Sequence, residues 1–224
     1  GGRWDTAKAI DTQDAIDPQV AIGPDGNAVV VWTKKTYDDG RANIISNTVW
    51  AQRWVNGTWL AATRISAAPA ADFFAFSPAA AIDVDGNILV VWTQHATAAP
   101  VHSVWATRFA GTSWSAPALR SDGTHTTYEA RVAAGAGIFM VVWTQDTSLP
   151  DTADPRPNLW AQRYSSTGWG TAEPIGYAVP ATGDVAAHPH LSMNASGNAV
   201  VVWQQTQDAQ VSIAGNRYDA GMTR

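Results

Sequence analysis

An all-β fold made of one unit used four times follows from three features of this 224-residue chain. Apolar runs ending in Trp recur as AVVVWT to Trp32, ILVVWT to Trp92, FMVVWT to Trp143 and AVVVWQ to Trp203. A second strand-like run follows each: VWAQRW at 49–54, VWATRF at 104–109, LWAQRY at 159–164 and IAGNRY at 213–218. Lys and Glu, the residues of exposed helix faces, are scarce (Lys8, Lys34 and Lys35; Glu129 and Glu173), while Val, Trp, Thr and Gly abound.

Four strands are read in each copy. The first lies near 18–22, 78–82, 131–134 and 190–193. It leads into a tight turn, PDGN at 24–27, DVDGN at 83–87 and NASGN at 194–198, whose Gly supplies the positive φ a hairpin needs. The third copy has AGAG there instead. The second strand is almost continuously apolar, as for a strand covered on both faces. The third alternates, and a Gly-containing turn then leads to a fourth strand starting at Trp59, Trp114 and Trp169. DVDGN has the opening spacing of a calcium loop, but no Glu follows at the distance a calcium site needs, so it reads as a hairpin turn.

Successive second-strand Trp residues are 60, 51 and 60 positions apart, and wrapping from Trp203 to Trp32 gives 53. Four antiparallel strands at this period describe a propeller blade. The last copy stops before its fourth-strand Trp, and GGRWDTAKAI at the other end supplies Trp4. The expectation is a single-domain, four-bladed β-propeller closed by pairing the N- and C-terminal segments in one blade. Its blades would span 18–65, 78–120, 130–175, and 189–224 joined by 1–10. The alternative is half of a larger ring, formed by dimerisation or cut from a longer chain; a monomer is the first expectation.

A net charge of −5 and a pI near 5.4 argue against nucleic acid or an anionic membrane surface as partner. No apolar run is long enough to be read as a membrane-inserted segment. The absence of Cys removes disulfide and thiolate chemistry.

The unit GNAVVVW, VWAQRY, GWGTA resembles the tandem repeats of bacterial secreted proteins and surface lipoproteins. The hairpins RWVNGTW, RFAGTSW and RYSSTGW are distantly similar to the Asp-box turn of sialidase-type propellers, although Ser and Asp are mostly absent, and to the hairpin of fucose-binding propeller lectins. The resemblance implies a propeller that is secreted or displayed at the cell surface, with carbohydrate as ligand class. The repeated Arg53, Arg108, Arg163 and Arg217 are read as structural, filling space between blades and bonding blade carbonyls. Trp54, at the position of Phe109, Tyr164 and Tyr218, is read as an ordinary outer-blade aromatic.

In a propeller the loops joining strands two to three and four to one open on one face, and here they are the variable segments. All five His fall on that face. Tyr37, Phe73, Phe74 and Tyr128 are candidates to stack on sugar, and Asp38, Asp39, Asp151, Asp154 and Arg156 to bond its hydroxyls. At the channel mouth the first strands enter through Asp17, Ser77, Glu129 and His188. His188 and His190, at strand spacing i, i+2, are expected to face one side and, with Asp17 or Glu129, to form a site for zinc or another divalent metal. A hydrated polar rim is the competing reading. The expected function is an extracellular binding module that recognises a glycan through the loop face. The alternatives are a scaffold binding a surface protein, and a hydrolase or metal-dependent enzyme centred on the channel mouth.

Overall fold

The computed structural model describes residues 2–67, 73–96, 98–147, 157–177 and 184–221, and its regular structure is strand throughout. In the first unit β1 (Ala15–Ile22), β2 (Ala28–Tyr37) and β3 (Ile44–Val55) form an antiparallel meander, with the two-residue β4 (Thr58–Trp59) and β5 (Thr63–Arg64) on its outer edge. The second unit repeats this as β6 (Phe73–Ile82), β7 (Ile88–Ala96), β8 (Ala99–Ala110), β9 (Ser113–Trp114) and β10 (Ala118–Leu119). The third comprises β11 (Thr127–Gly135), β12 (Ile138–Asp146), β13 (Pro157–Ser165), β14 (Gly168–Trp169) and β15 (Glu173–Pro174). The fourth has β16 (Val185–Met193), β17 (Ala199–Gln207) and β18 (Gln210–Tyr218). One parallel bridge, Asn47 to Phe74, links the first two units; otherwise the pairing is antiparallel.

The outer strand of each complete unit is split in two, and a side chain fills the break. Gln52 Nε2 donates to the Leu60 carbonyl at 2.7 Å, Thr107 Oγ1 to that of Ser115 at 2.7 Å, and Gln162 Nε2 to that of Gly170 at 2.8 Å. DVDGN is a turn closed by its own Asp: Asp83 Oδ1 accepts from the Asp85 and Asn87 amides, and Oδ2 from Asn87 Nδ2. Asn194 does the same for Ser196 and Asn198.

Each first strand carries a bulge at one repeat position. Asp17, Ser77, Glu129 and His188 all have φ of 51–52°, and the register breaks at each. A left-handed conformation in a residue with a side chain costs about 1–2 kcal/mol. His188 is itself the bulge residue of β16, and it and His190 are both exposed, on either side of the buried Pro189.

Units pack face to face in chain order. Val29, Val31, Val49 and Ala51 of the first unit meet Ile88, Val90, Trp92 and Phe109 of the second. Leu89, Val91, Val104 and Ala106 then meet Phe139, Val141 and Trp143 of the third, and Met140, Val142, Leu159 and Ala161 meet Val201 and Trp203 of the fourth. Trp92, Trp143 and Trp203 each donate their buried indole N–H to a Gln two residues on, at 2.9–3.0 Å. The repeated Arg lies across each junction on the next unit's aromatic. Arg53 is 3.9 Å from the Phe109 ring centre, Arg108 5.3 Å from that of Tyr164, and Arg163 donates to the Tyr218 hydroxyl at 2.7 Å. Their role is structural, as read from the sequence, but they engage rings rather than carbonyls. Trp54 contacts Trp59 edge to face, as Phe109 does Trp114 and Tyr164 does Trp169.

Closure through the termini is not made. Residues 2–14 form no strand, Trp4 is 98% exposed, and among the described residues β18 pairs with β17 alone. The N-terminal segment is held instead by its own first unit. Lys34 stands where the other units have Gln, so the Trp32 indole donates to Asp11 at 3.0 Å, and Lys34 bonds the same carboxylate. Burial opposes the charge on Asp11, but the Gln13 amide, Lys34 and Trp32 hold its carboxyl below the usual range.

Trp143→Ala is expected to lower stability by about 3–5 kcal/mol in chemical denaturation, since the ring is fully buried at the centre of a junction. Gly135→Ala tests the third junction, because a Cβ there would run into the Asn194 carbonyl of the fourth unit. A loss of about 1–3 kcal/mol is expected in the same measurement.

Candidate functional site

On the side where β7 passes into β8, cross-strand register assembles an aromatic and imidazole stack at the second junction. Phe74 and Phe76 are two apart on β6 and share a face, and Phe74 pairs with His95 on β7. The Phe74 and His95 rings stack with centres 5.3 Å apart, and His95 stacks on His102 of β8 at 4.5 Å. Phe76 presents its edge to both imidazoles, and Tyr128 of β11 meets His102 from the third unit at 6.2 Å. Thr127 Oγ1 ties the two units together by donating to the His102 carbonyl at 3.0 Å.

Burial lowers the pKa of His95, and burial together with the neighbouring imidazole lowers that of His102. Both are therefore neutral at physiological pH, and neither buried Nδ1 has a hydrogen-bond partner among the described residues. Tyr128 is partly exposed, and burial followed by the Asp146 charge raises its pKa, keeping the hydroxyl protonated. The surface thus offers partly exposed ring faces and a phenol donor, with the unpartnered imidazole nitrogens buried beneath.

The next residue on β11 is Glu129, in its bulge. It reaches the fourth unit, where Oε1 lies 2.9 Å from His188 Nδ1 and Oε2 accepts from the His188 amide at 2.6 Å. Two of the four sequence-read metal ligands are therefore in contact. Asp17 and His190 are exposed, and no group of three or more His, Asp and Glu able to hold a metal occurs among the described residues. A further relay runs outward from the third unit's core. Trp143 donates to Gln145, Gln145 Nε2 to Asp122 at 3.0 Å, and Asp122 lies 2.6 Å from His125 Nδ1. Burial opposes ionisation of Asp122, but the His125 and Thr124 hydrogen bonds keep its pKa below the usual value.

The remaining sequence candidates are dispersed. Tyr37 lies under the Arg41 guanidinium at 4.6 Å, and Arg41 bonds Asp14 at 2.7 Å. Asp38 is engaged in shaping its own loop, accepting from Asn43 Nδ2 and the Ala42 amide at 2.8 Å, and the Asn43 hydrogen bonds lower its pKa. Asp39 is exposed, and Phe73 opens β6 opposite Ala96. Asp151, Asp154 and Arg156 lie outside the described residues. Of the nine sugar-binding candidates, Phe74 and Tyr128 belong to the stack. Phe76 was not singled out from the sequence, although its i, i+2 spacing from Phe74 was the available signal.

No protein-family model and no curated protein matches this sequence. Solved structures do match in fold. A protein of unknown function from Dyadobacter fermentans superposes with a TM-score of 0.63 at 14% identity, over 91% of this chain and 65% of that one. The Hadza microbial sialidase Hz136 gives 0.57 at 12%, over 92% and 44%. The Penicillium chrysogenum α-L-arabinanase complexed with arabinobiose gives 0.57 at 13%, over 91% and 62%. The fold they share with this chain is β-propeller-type. This chain spans less than two-thirds of the length of each of the three.

For His95 and His102 the folded pKa lies below the unfolded value near 6.5. Their contribution to stability is full above pH 6.5 and falls as pH drops through the lowered folded values. The denaturation midpoint should therefore decline as pH falls below about 6.5. His102→Phe should flatten that slope, while the acid loss from Asp11 and Asp122 begins only near their unfolded value of 3.8.

Proposed function

We propose that the protein is a secreted or surface-displayed propeller module of four blades that binds carbohydrate on its loop face, with the Phe74–His95–His102–Tyr128 stack as the seat. The carrying observation is the stack itself, a run of partly exposed rings that ends in the exposed phenol of Tyr128. Sugars present an apolar C–H face beside hydroxyls, and such a surface meets both, through ring stacking and through hydrogen bonds with the phenol. The fold likeness to an arabinanase complexed with arabinobiose, a sialidase and an ulvan lyase supports a carbohydrate partner.

Glu129 and His188 favour a second reading, hydrolysis or elimination at the channel mouth. A carboxylate touching an imidazole beside a ligand-stacking surface is a usable acid–base pair.

Labelled protein on a panel of neutral and acidic glycans, arabinan fragments included, tests both. Specific binding weakened at least tenfold by Tyr128→Ala and by His95→Ala, but unchanged by Asp39→Ala, is the expected result. A panel without specific binding would remove carbohydrate and leave a surface protein as partner. Turnover of a bound glycan lost in Glu129→Gln, with binding retained, would establish the enzyme.

A further inference from the structure

The two end units are unequal to the interior ones in complementary ways. On the fourth unit Val200 and Ile213 are 50% and 76% exposed, whereas their counterparts Val29, Leu89 and Met140, and Val49, Val104 and Leu159, are buried at the junctions. On the first unit Val20 and Ile22 are 69% and 71% exposed, whereas Ile82, Ala134 and Met193 pack against the preceding unit. Arg217 stands where Arg53, Arg108 and Arg163 engage the next unit's ring, yet it pairs with its neighbour Asp219 at 2.9 Å. Trp54 stands where those rings lie and has no Arg over it among the described contacts.

The outer strand shows the same mismatch. Tyr218 occupies the position from which Trp54, Phe109 and Tyr164 contact Trp59, Trp114 and Trp169, and Trp4 is the remaining Trp of that series. Asn216, at the position of Gln52 and Gln162, bonds the Ile175 carbonyl of the third unit rather than an outer strand of its own. Meanwhile Ile10 lies beside Val30 and Trp32, as Ile65 lies beside Val90 and Trp92. Residues 3–10 are thus laid on the first unit as the outer strand of a preceding unit would be.

We propose that a second copy of this chain docks head to tail. The β18 edge of one copy takes residues 3–10 of the other as its outer strand, with Tyr218 on Trp4 and Arg217 over Trp54. The apolar faces of the fourth and first units then close a fourth junction like the three within the chain. Another copy is the occupant because the faces match a unit of this repeat, and among the described residues no extensive packing joins the first unit to the fourth. The four units match 44–65% of longer chains of like fold.

Light scattering across a concentration series should give twice the 23.8 kDa chain mass. Ile213→Asp and Val20→Asp, both at exposed positions and so expected to fold, should each give monomers. Mixing the two should restore a dimer, since one junction between them stays intact. Arg217→Glu should weaken association at least tenfold with an unchanged circular dichroism spectrum. Larger assemblies broken by the same substitutions would uphold the junction. A 23.8 kDa species at every concentration, as intrachain closure or further repeats would produce, overturns the proposal, as does a dimer indifferent to Ile213→Asp.

Discussion

Burial of β7 and β12 on both faces is the constraint on which the rest of the structure depends. Their apolar runs leave no face for water, so neither unit can be stable alone, and each needs a neighbour on either side. Leu89 and Val91 point to the third unit while Ile88, Val90 and Trp92 point to the first. The same requirement explains the small residues on the partner strands. Ala79, Ala81 and Ala106 let the Phe139 and Trp143 rings fit between sheets, and Gly135 lets a turn of the fourth unit approach the third. The indole N–H groups of the second-strand Trp residues are satisfied locally, by Gln in three units. The one unit lacking the Gln recruits Asp11 instead.

The Arg-to-ring contacts set the direction of the stack. A guanidinium is planar and weakly hydrated, so it covers an aromatic face while its charged edge stays near solvent. Arg53, and Arg120 with its guanidinium 4.7 Å from the Trp169 ring centre, are partly buried in this way and have pKa values lowered by burial yet remain charged. The contacts of Arg53 and Arg108 run from one unit to the next, so the units cannot invert without losing them.

The candidate site is a consequence of the same stacking. The apolar contacts of the second junction continue upward into Phe76 and the two imidazoles, where the strands leave the core and polar atoms begin to appear. Its neighbour, the Glu129–His188 pair, is built from two bulge residues. Bulges turn side chains out of the regular alternation, and four repeat-equivalent bulges carrying Asp, Ser, Glu and His place different chemistry around one rim.

Much of this was legible in the sequence because it rests on local rules. The four Trp-ended runs, the Gly turns and the alternating third strands each follow from period and turn chemistry, and the structure has them where they were read. The grouping of Phe74 with His95 was not legible, because it depends on cross-strand register after a bulge. The N-terminal segment was read as the partner of β18 because its residues suit that role. Sequence specifies which surfaces are complementary, but the distance between them is set by the angles accumulated over three junctions, and only the tertiary structure decides that.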